Sequence, residues 1–233
     1  MCDECGCNEP ASRIEVNRSV TEENDAIAHK TWHLLKEKGM LCINVLGAPG
    51  SGKTTFIESI VKYIAPSEIA VIEGDLESDI DKERLEKRGV DSYQINTHSG
   101  CHLNAAMVND ALGNMNLEGK GYLVIENVGN LVCPAGVKIG QHIDIVVSST
   151  TEGSDKPKKY PIIFMNAELV IISKYDLAEA VGFDEKIYFE DIGNINSKAV
   201  IVKTSSKEPG SFERAAKFIV HERDHLLGKG HDH

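Results

Sequence analysis

Short apolar runs alternate with mixed, amphipathic stretches along this chain. Leu41-Cys42-Ile43-Asn44-Val45-Leu46, Ile69 to Glu73, Ser92 to Ile95, Tyr122 to Glu126, Ile143 to Ser148, Glu168 to Ile172 and Ala199 to Lys203 are the strand candidates. Most are near-continuously apolar rather than alternating, which suits strands buried on both faces of a parallel sheet. Between them lie helical patterns over Thr54 to Tyr63, Asp81 to Lys87 (ended by Gly89), His102 to Leu112 and Ser211 to Leu227. Ahead of the first strand, Ser19 as cap with Glu22 three residues on predicts a capping box and a helix to about Lys38, stopped by Gly39. The stretch Thr151 to Tyr160, with Lys156, Lys158 and Lys159, reads as a polar loop. Strands alternating with helices predict an α/β fold: a doubly wound, mainly parallel sheet flanked by helices. The expected organisation is a mobile arm over residues 1–18, one domain over 19–228 and a disordered tail over 229–233.

Composition narrows the class. The chain has 233 residues, room for one sizeable domain, and a formal net charge of −11. That charge opposes nonspecific nucleic-acid binding, which needs clustered Lys and Arg. No apolar run is long enough to span a membrane, and the polar N-terminus lacks a signal core, so the expectation is a cytoplasmic protein. The six cysteines are Cys2, Cys5, Cys7, Cys42, Cys101 and Cys133. Their clustering points to metal or redox chemistry rather than disulfide staples.

Gly47-Ala48-Pro49-Gly50-Ser51-Gly52-Lys53-Thr54 fits G-x-x-x-x-G-K-[ST], with a strand entering and a helix leaving. Glycines let backbone N–H groups turn inward as an anion nest, and the helix N-terminus adds positive potential. Gly47, Pro49, Gly50, Ser51, Gly52, Lys53, Thr54 and Thr55 are therefore the expected phosphate contacts. Lys53 reaches the β- and γ-phosphates, and the Thr54 hydroxyl ligates Mg²⁺. Glu126 at the end of a strand is a Mg²⁺ or metal-water ligand, Gly129 senses the γ-phosphate, and Asp75 is a switch residue near both or a simple turn aspartate. Lys53, Asp75 and Glu126 form the expected catalytic set. Ser173-Lys174-Tyr175-Asp176 is a variant of N-K-x-D with Ser for Asn. The Asp176 carboxylate accepts guanine N1–H and the 2-amino group, a donor pair adenine lacks, while Lys174 lays its stem along the base. Thr204 to Lys207 is a weaker candidate for closing over the base.

Cys101, His102 and Cys133 suit zinc, nickel or copper(I), not Mg²⁺ or Ca²⁺, and leave a fourth position open. The opposing reading is two buried small hydrophobes and a satisfied histidine. Cys133 lies four residues past Gly129, which favours metal. Cys2, Cys5 and Cys7 lie close enough to wrap one ion, with oxidation-prone free thiols as the alternative. Cys42, inside a strand, and Trp32 read as packing residues, and His221 with His225 as a solvated face with weak metal capacity.

Cys2-x-x-Cys5-Gly6-Cys7, the Gly47–Thr54 loop, Glu73-Gly74-Asp75, Cys101-His102 and Glu126-Asn127-Val128-Gly129-Asn130-Leu131-Val132-Cys133-Pro134 together resemble the hydrogenase nickel-incorporation GTPase family HypB, within the SIMIBI class of P-loop GTPases. The resemblance runs from about residue 20 to 225, plus the arm. It implies slow GTP hydrolysis with Mg²⁺ and nickel delivery to [NiFe] hydrogenase large-subunit precursors. It also implies cooperation with a small zinc protein of the HypA type and a GTP-dependent homodimer. Ni²⁺ or Zn²⁺ would sit at Cys101, His102 and Cys133, with a tight nickel site at Cys2, Cys5 and Cys7. Rival readings are a urease-type nickel GTPase, whose Cys-Pro-His motif is not found at Cys101-His102, and a P-loop small-molecule kinase, which the Ser173–Asp176 motif opposes.

Overall fold

The computed structural model describes residues 10–74, 85, 87–97 and 100–229, with the backbone alone for 10–20. Its elements are α1 (Pro10–Glu37), β1 (Leu41–Leu46), α2 (Lys53–Ile60), β2 (Ile69–Glu73), β3 (Asp91–Gln94), α3 (Ala105–Gly113), β4 (Tyr122–Glu126) and β5 (Ile143–Ser149). There follow α4 (Lys156–Lys159), α5 (Pro161–Met165), β6 (Leu169–Ser173), α6 (Glu185–Ile195), β7 (Val200–Lys203) and α7 (Glu213–Leu226).

The strands form one parallel sheet in the order β3-β2-β4-β1-β5-β6-β7. β1 is central, and every residue in it is buried. Side chains alternate across the pleat. Leu41, Ile43 and Val45 pack with Phe56, Ile57 and Ile60 of α2 and with Ala215 and Ile219 of α7. Cys42 faces the other way, among Leu35 of α1, Val108 and Ala111 of α3 and Leu123 and Ile125 of β4. On that second face, Val146, Val170 and Ile172 receive Phe164 of α5 and Tyr188 and Ile192 of α6. Burial pushes the Cys42 thiol far up, so it is a core group as expected. Each such fully buried aliphatic contributes roughly 1.5–3 kcal/mol, enough for a short helix such as α6 to stay docked.

Helix α1 and the loops beside it are tied by one amide. Asn24 Nδ2 donates to the Lys138 carbonyl at 2.9 Å, and Asn24 Oδ1 accepts from Ala105 N, the first residue of α3, at 2.9 Å. No helix among the described residues is long and apolar enough to cross a membrane.

The strand expectations hold to within about a residue at each end, while several helix boundaries move. α1 begins at Pro10, not Ser19. Proline is tolerated at the first helical position, and no Gly or Pro interrupts residues 11 to 19, so Ser19 and Glu22 lie inside the helix rather than capping it. Cys101 and His102 precede α3 instead of opening it, because Asn104 takes the N-cap and accepts from Met107 N. Thr151–Tyr160 is not a plain loop: a 3₁₀ turn over Thr150–Glu152, closed by a capping box between Ser149 and Glu152, leads into α4. α5 and α6 escape the apolar pattern because they are short or carry their core contacts on few residues. Of the expected helix over Asp81 to Lys87 only Leu85 and Lys87 are among the described residues. Of the expected arm over 1–18, residues 10–18 belong to α1 and 1–9 lie outside the described residues, as does the expected tail past Lys229.

Candidate functional site

The P-loop leaves the carboxyl end of β1, the edge at which parallel α/β sheets bind ligands. Its backbone requires glycine at two points. A Cβ on Gly47 would lie 2.3 Å from the Val147 carbonyl oxygen, and Gly52, the N-cap of α2, has φ 100°. The Ser51 hydroxyl is buried with no hydrogen-bond partner. A buried orphan hydroxyl beside a cradle of inward N–H groups fits a phosphate. Lys53 is buried, with its ammonium 3.4 Å from the Ala48 carbonyl. The Thr54 hydroxyl donates to Glu126 Oε1 at 2.9 Å. Thr55 accepts from the Ser59 hydroxyl through its carbonyl. Hydroxyl and carboxylate thus meet at the mouth of the loop, an all-oxygen pair that suits Mg²⁺. Asp75, the third expected member, lies outside the described residues, although Gly74 N donates to the Glu126 carbonyl at 2.8 Å just before it.

β6 leads into the Ser173–Asp176 motif. The Ser173 hydroxyl donates to the Ser51 carbonyl at 2.5 Å, so the serine that replaces the usual asparagine is spent on the P-loop backbone. Lys174 has φ 53°, alone among described non-glycine residues in the left-handed region. Its ammonium donates to the Gly50 carbonyl at 2.8 Å, and its own carbonyl accepts from the Thr150 hydroxyl at 2.8 Å. The lysine stem therefore spans the distance from β6 to the P-loop. Asp176 Oδ1 accepts from the Ser205 hydroxyl at 2.7 Å, and Oδ2 pairs with Lys207 at 2.9 Å. Hydrogen bonding from Lys207, then from Ser205, holds the Asp176 carboxyl below its usual value. The Thr204–Lys207 segment thus meets the Asp176 carboxylate.

The loop after β4 joins phosphate site and thiols. Asn130 N donates to the Gly47 carbonyl at 3.0 Å, while a Cβ on Gly129 would lie 3.0 Å from Pro49. Asn130 Oδ1 accepts from Val132 N at 2.7 Å and Cys133 N at 3.1 Å. Asn127, buried in the same loop, bonds Asn44 of β1 at 3.1 Å and accepts from Leu103 N at 3.2 Å. Leu103 directly follows Cys101 and His102. Both thiol-bearing segments are thus anchored by asparagines of one loop. Cys101 Sγ lies 3.5 Å from His102 Nδ1, and a hydrogen bond with Cys101, ahead of burial, raises the Cys133 thiol. The three predicted residues are brought into one neighbourhood, but among the described residues no three His, Cys, Asp or Glu side chains stand as a ready metal-holding set.

A family model described as the CobW/HypB/UreG nucleotide-binding domain matches residues 41–203, from β1 through β7. The hydrogenase/urease maturation factor HypB of Helicobacter hepaticus is 40% identical over 214 residues, covering 90% of this chain and 88% of its own length. The probable hydrogenase maturation factor HypB of Methanocaldococcus jannaschii is 41% identical over 207 residues, covering 88% of this chain and 94% of its own. The chain belongs to the HypB family. The crystal structure of HypB from Helicobacter pylori in complex with nickel superposes with a TM-score of 0.84 at 37% identity, across 91% of this chain and all of that one (100%). HypB from Archaeoglobus fulgidus gives 0.81 at 37% identity over 87% of this chain and 99% of that one. The receptor FtsY, at 17% identity and 0.55, shares the fold alone.

Within this HypB-family fold, the tethering asparagines Asn127 and Asn130, and Thr150 and Ser205, which bond Lys174 and Asp176, went unassigned or weakly assigned in the sequence. Buried Asn, 1% exposed at Asn127, is the signal that marks such tethers, since an amide is taken from water only when bonded. Glu152 is a further unassigned group. Burial raises its carboxyl while Lys156, Lys174 and Lys53 pull the other way, placing it on the basic side of the nucleotide site.

Proposed function

We propose that this chain is a GTP-hydrolysing metallochaperone that delivers nickel during maturation of [NiFe] hydrogenase, with metal binding coupled to nucleotide state. The observation that carries the reading is the run from Gly47 through Asn130 to Cys133: one asparagine bonds the P-loop with its backbone and the thiol-bearing turn with its side chain. The printed names of the relatives and the nickel-bound neighbour support the cargo. Relatives from Helicobacter are named for urease as well, which supports urease as a second client enzyme.

The inward N–H groups of the P-loop and Lys53 hold the phosphates, and Asp176 and Lys174 hold the guanine. Thr54 and Glu126, with Asp75, would hold Mg²⁺, which when bound neutralises charge on the phosphate oxygens. Water attacks the γ-phosphorus and GDP leaves with its β-phosphate oxygen. Gly129 lies against Pro49 and follows the phosphate end of the loop, so its movement carries Asn130 and Cys133. Closure of Cys101, His102 and Cys133 on Ni²⁺ or Zn²⁺ then belongs to one nucleotide state. Metal binding requires thiolate, so loading this site releases thiol protons. Val132, 64% exposed beside Cys133, supports a nucleotide-dependent homodimer or a docking HypA-type partner and hydrogenase precursor at this face. Cys2, Cys5 and Cys7 form the proposed second nickel site on the arm.

Coupling is reciprocal in free energy. Metal affinity measured with GTP-analogue and with GDP, on protein lacking residues 1–9, is expected to differ by about 5-fold or more. Equal affinities overturn the coupling. GTP turnover and gel-filtration size, with and without Ni²⁺ or Zn²⁺, should respond to metal in the wild type and not in Cys133→Ala. Lys53→Ala should abolish turnover; retained delivery in that variant would indicate a storage protein with incidental nucleotide.

A further inference from the structure

A second pair of metal-competent side chains lies on α1, at the amino ends of the strands and on the opposite edge of the sheet from the P-loop. His29 and His33 are one helical turn apart, both exposed, and their Nε2 atoms are 3.1 Å apart. Two imidazoles that share an ion at metal–nitrogen bonds of about 2.0–2.1 Å put their nitrogens about 2.9–3.4 Å apart, for angles from square to tetrahedral. The observed separation falls inside that window. The ring centroids are 4.4 Å apart and the planes inclined at 68°. The Nε2 edges are thus the near edges, one Nε2–H donating to the other Nε2, so a shared ion would take the place of that bridging proton.

The surroundings favour a cation. The two rings line a cleft of about 740 Å³ that also holds Asp25, Asp144 and Glu168, against Lys138. The His33 ring stands edge-on to Trp32 at 4.8 Å, which limits its rotation and lowers the entropy cost of chelation. Asp25, one turn before His29, is engaged by Lys138 at 3.5 Å. No third side chain among the described residues completes the set.

We propose that His29 and His33 form a separate two-imidazole site for a late first-row divalent ion, Ni²⁺, Cu²⁺ or Zn²⁺, with water or an external donor filling the remaining positions. Such an open site exchanges its ion readily and does not depend on nucleotide, unlike the thiol site.

The test uses the full chain with Cys2, Cys5, Cys7, Cys101 and Cys133 all changed to Ser, titrated with Ni²⁺ by calorimetry. One residual ion is expected; it is lost in His29→Ala/His33→Ala and kept in His221→Ala/His225→Ala, a helical pair of the same spacing. Cu²⁺ spectra should show two equatorial nitrogens in the parent and not in the His29/His33 variant. On wild-type protein, where folding of the multiple variant is not at issue, Zn²⁺ beyond saturation of the thiols should shift the Nε2 resonances of His29 and His33 together. A residual ion that survives the double substitution, the absence of any residual ion, or unshifted resonances overturns the assignment.

Discussion

At the scale of single residues, Asp176 makes the sharpest commitment. Its carboxylate is free of any strand ladder and is pre-set by Ser205 and Lys207. Asp176→Asn replaces an acceptor with a donor at the position proposed to face the guanine N1–H, so GTP affinity is expected to fall about 100-fold or more, from charge-assisted hydrogen bonds worth about 1.5–3 kcal/mol each. Titration with a fluorescent GTP analogue checks this; affinity within a few-fold of wild type would remove Asp176 from base recognition. The residue types of the P-loop and of Ser173–Asp176 were readable in the sequence because each is chemically forced at its spacing. The use of Ser173 was not: its bond to the Ser51 carbonyl crosses 122 positions, and no local pattern encodes it. Asn24, whose partners are 81 and 114 residues away, was invisible for the same reason.

At the scale of elements, the loop after β4 works through one side chain. Asn130→Ala leaves the N–H groups of Val132 and Cys133 without their acceptor and frees the turn that carries the thiol. Supporting residues of this kind alter metal affinity by about 10- to 100-fold. Competition titration with a chromogenic chelator should show Ni²⁺ bound at least about 10-fold more weakly, on protein lacking residues 1–9. Gly129→Ala sets a methyl 3.0 Å from the Pro49 ring and backbone, so nucleotide binding is expected to weaken and metal to lose its effect on turnover. Helix ends were the least readable elements. Ser19 and Glu22 satisfy a capping box on paper, yet nothing in the preceding residues stops the helix, and one that is free to continue does so.

The whole molecule carries a pH signature at the amino edge of the sheet. His142 accepts from Cys42 N at 2.8 Å through Nδ1, with Nε2 3.1 Å from the Trp32 carbonyl. Burial lowers its pKa to about 4 from 6.5. Its contribution to stability is complete above pH 6.5 and drains away as pH falls toward 4. Asp144, two residues on, behaves oppositely: burial raises it to about 6 from 3.8, so its contribution is complete below pH 3.8 and lost as pH rises through 6. Between these values the two terms oppose each other. In Asp144→Asn only the histidine term of this pair remains. Urea unfolding should show the wild type gaining on that variant by roughly 2–3 kcal/mol from pH 7 to pH 4. A constant difference would mean that Asp144 titrates normally.

The Asn24 amide has a mechanical corollary. One of its bonds grips the start of α3, just past Cys101 and His102, and the other grips the segment beyond Cys133. The two segments proposed to hold the metal are therefore tied to a common pin, and that pin belongs to a long rod, α1. A displacement of the rod is therefore expected to reach both segments together, through the two Asn24 bonds.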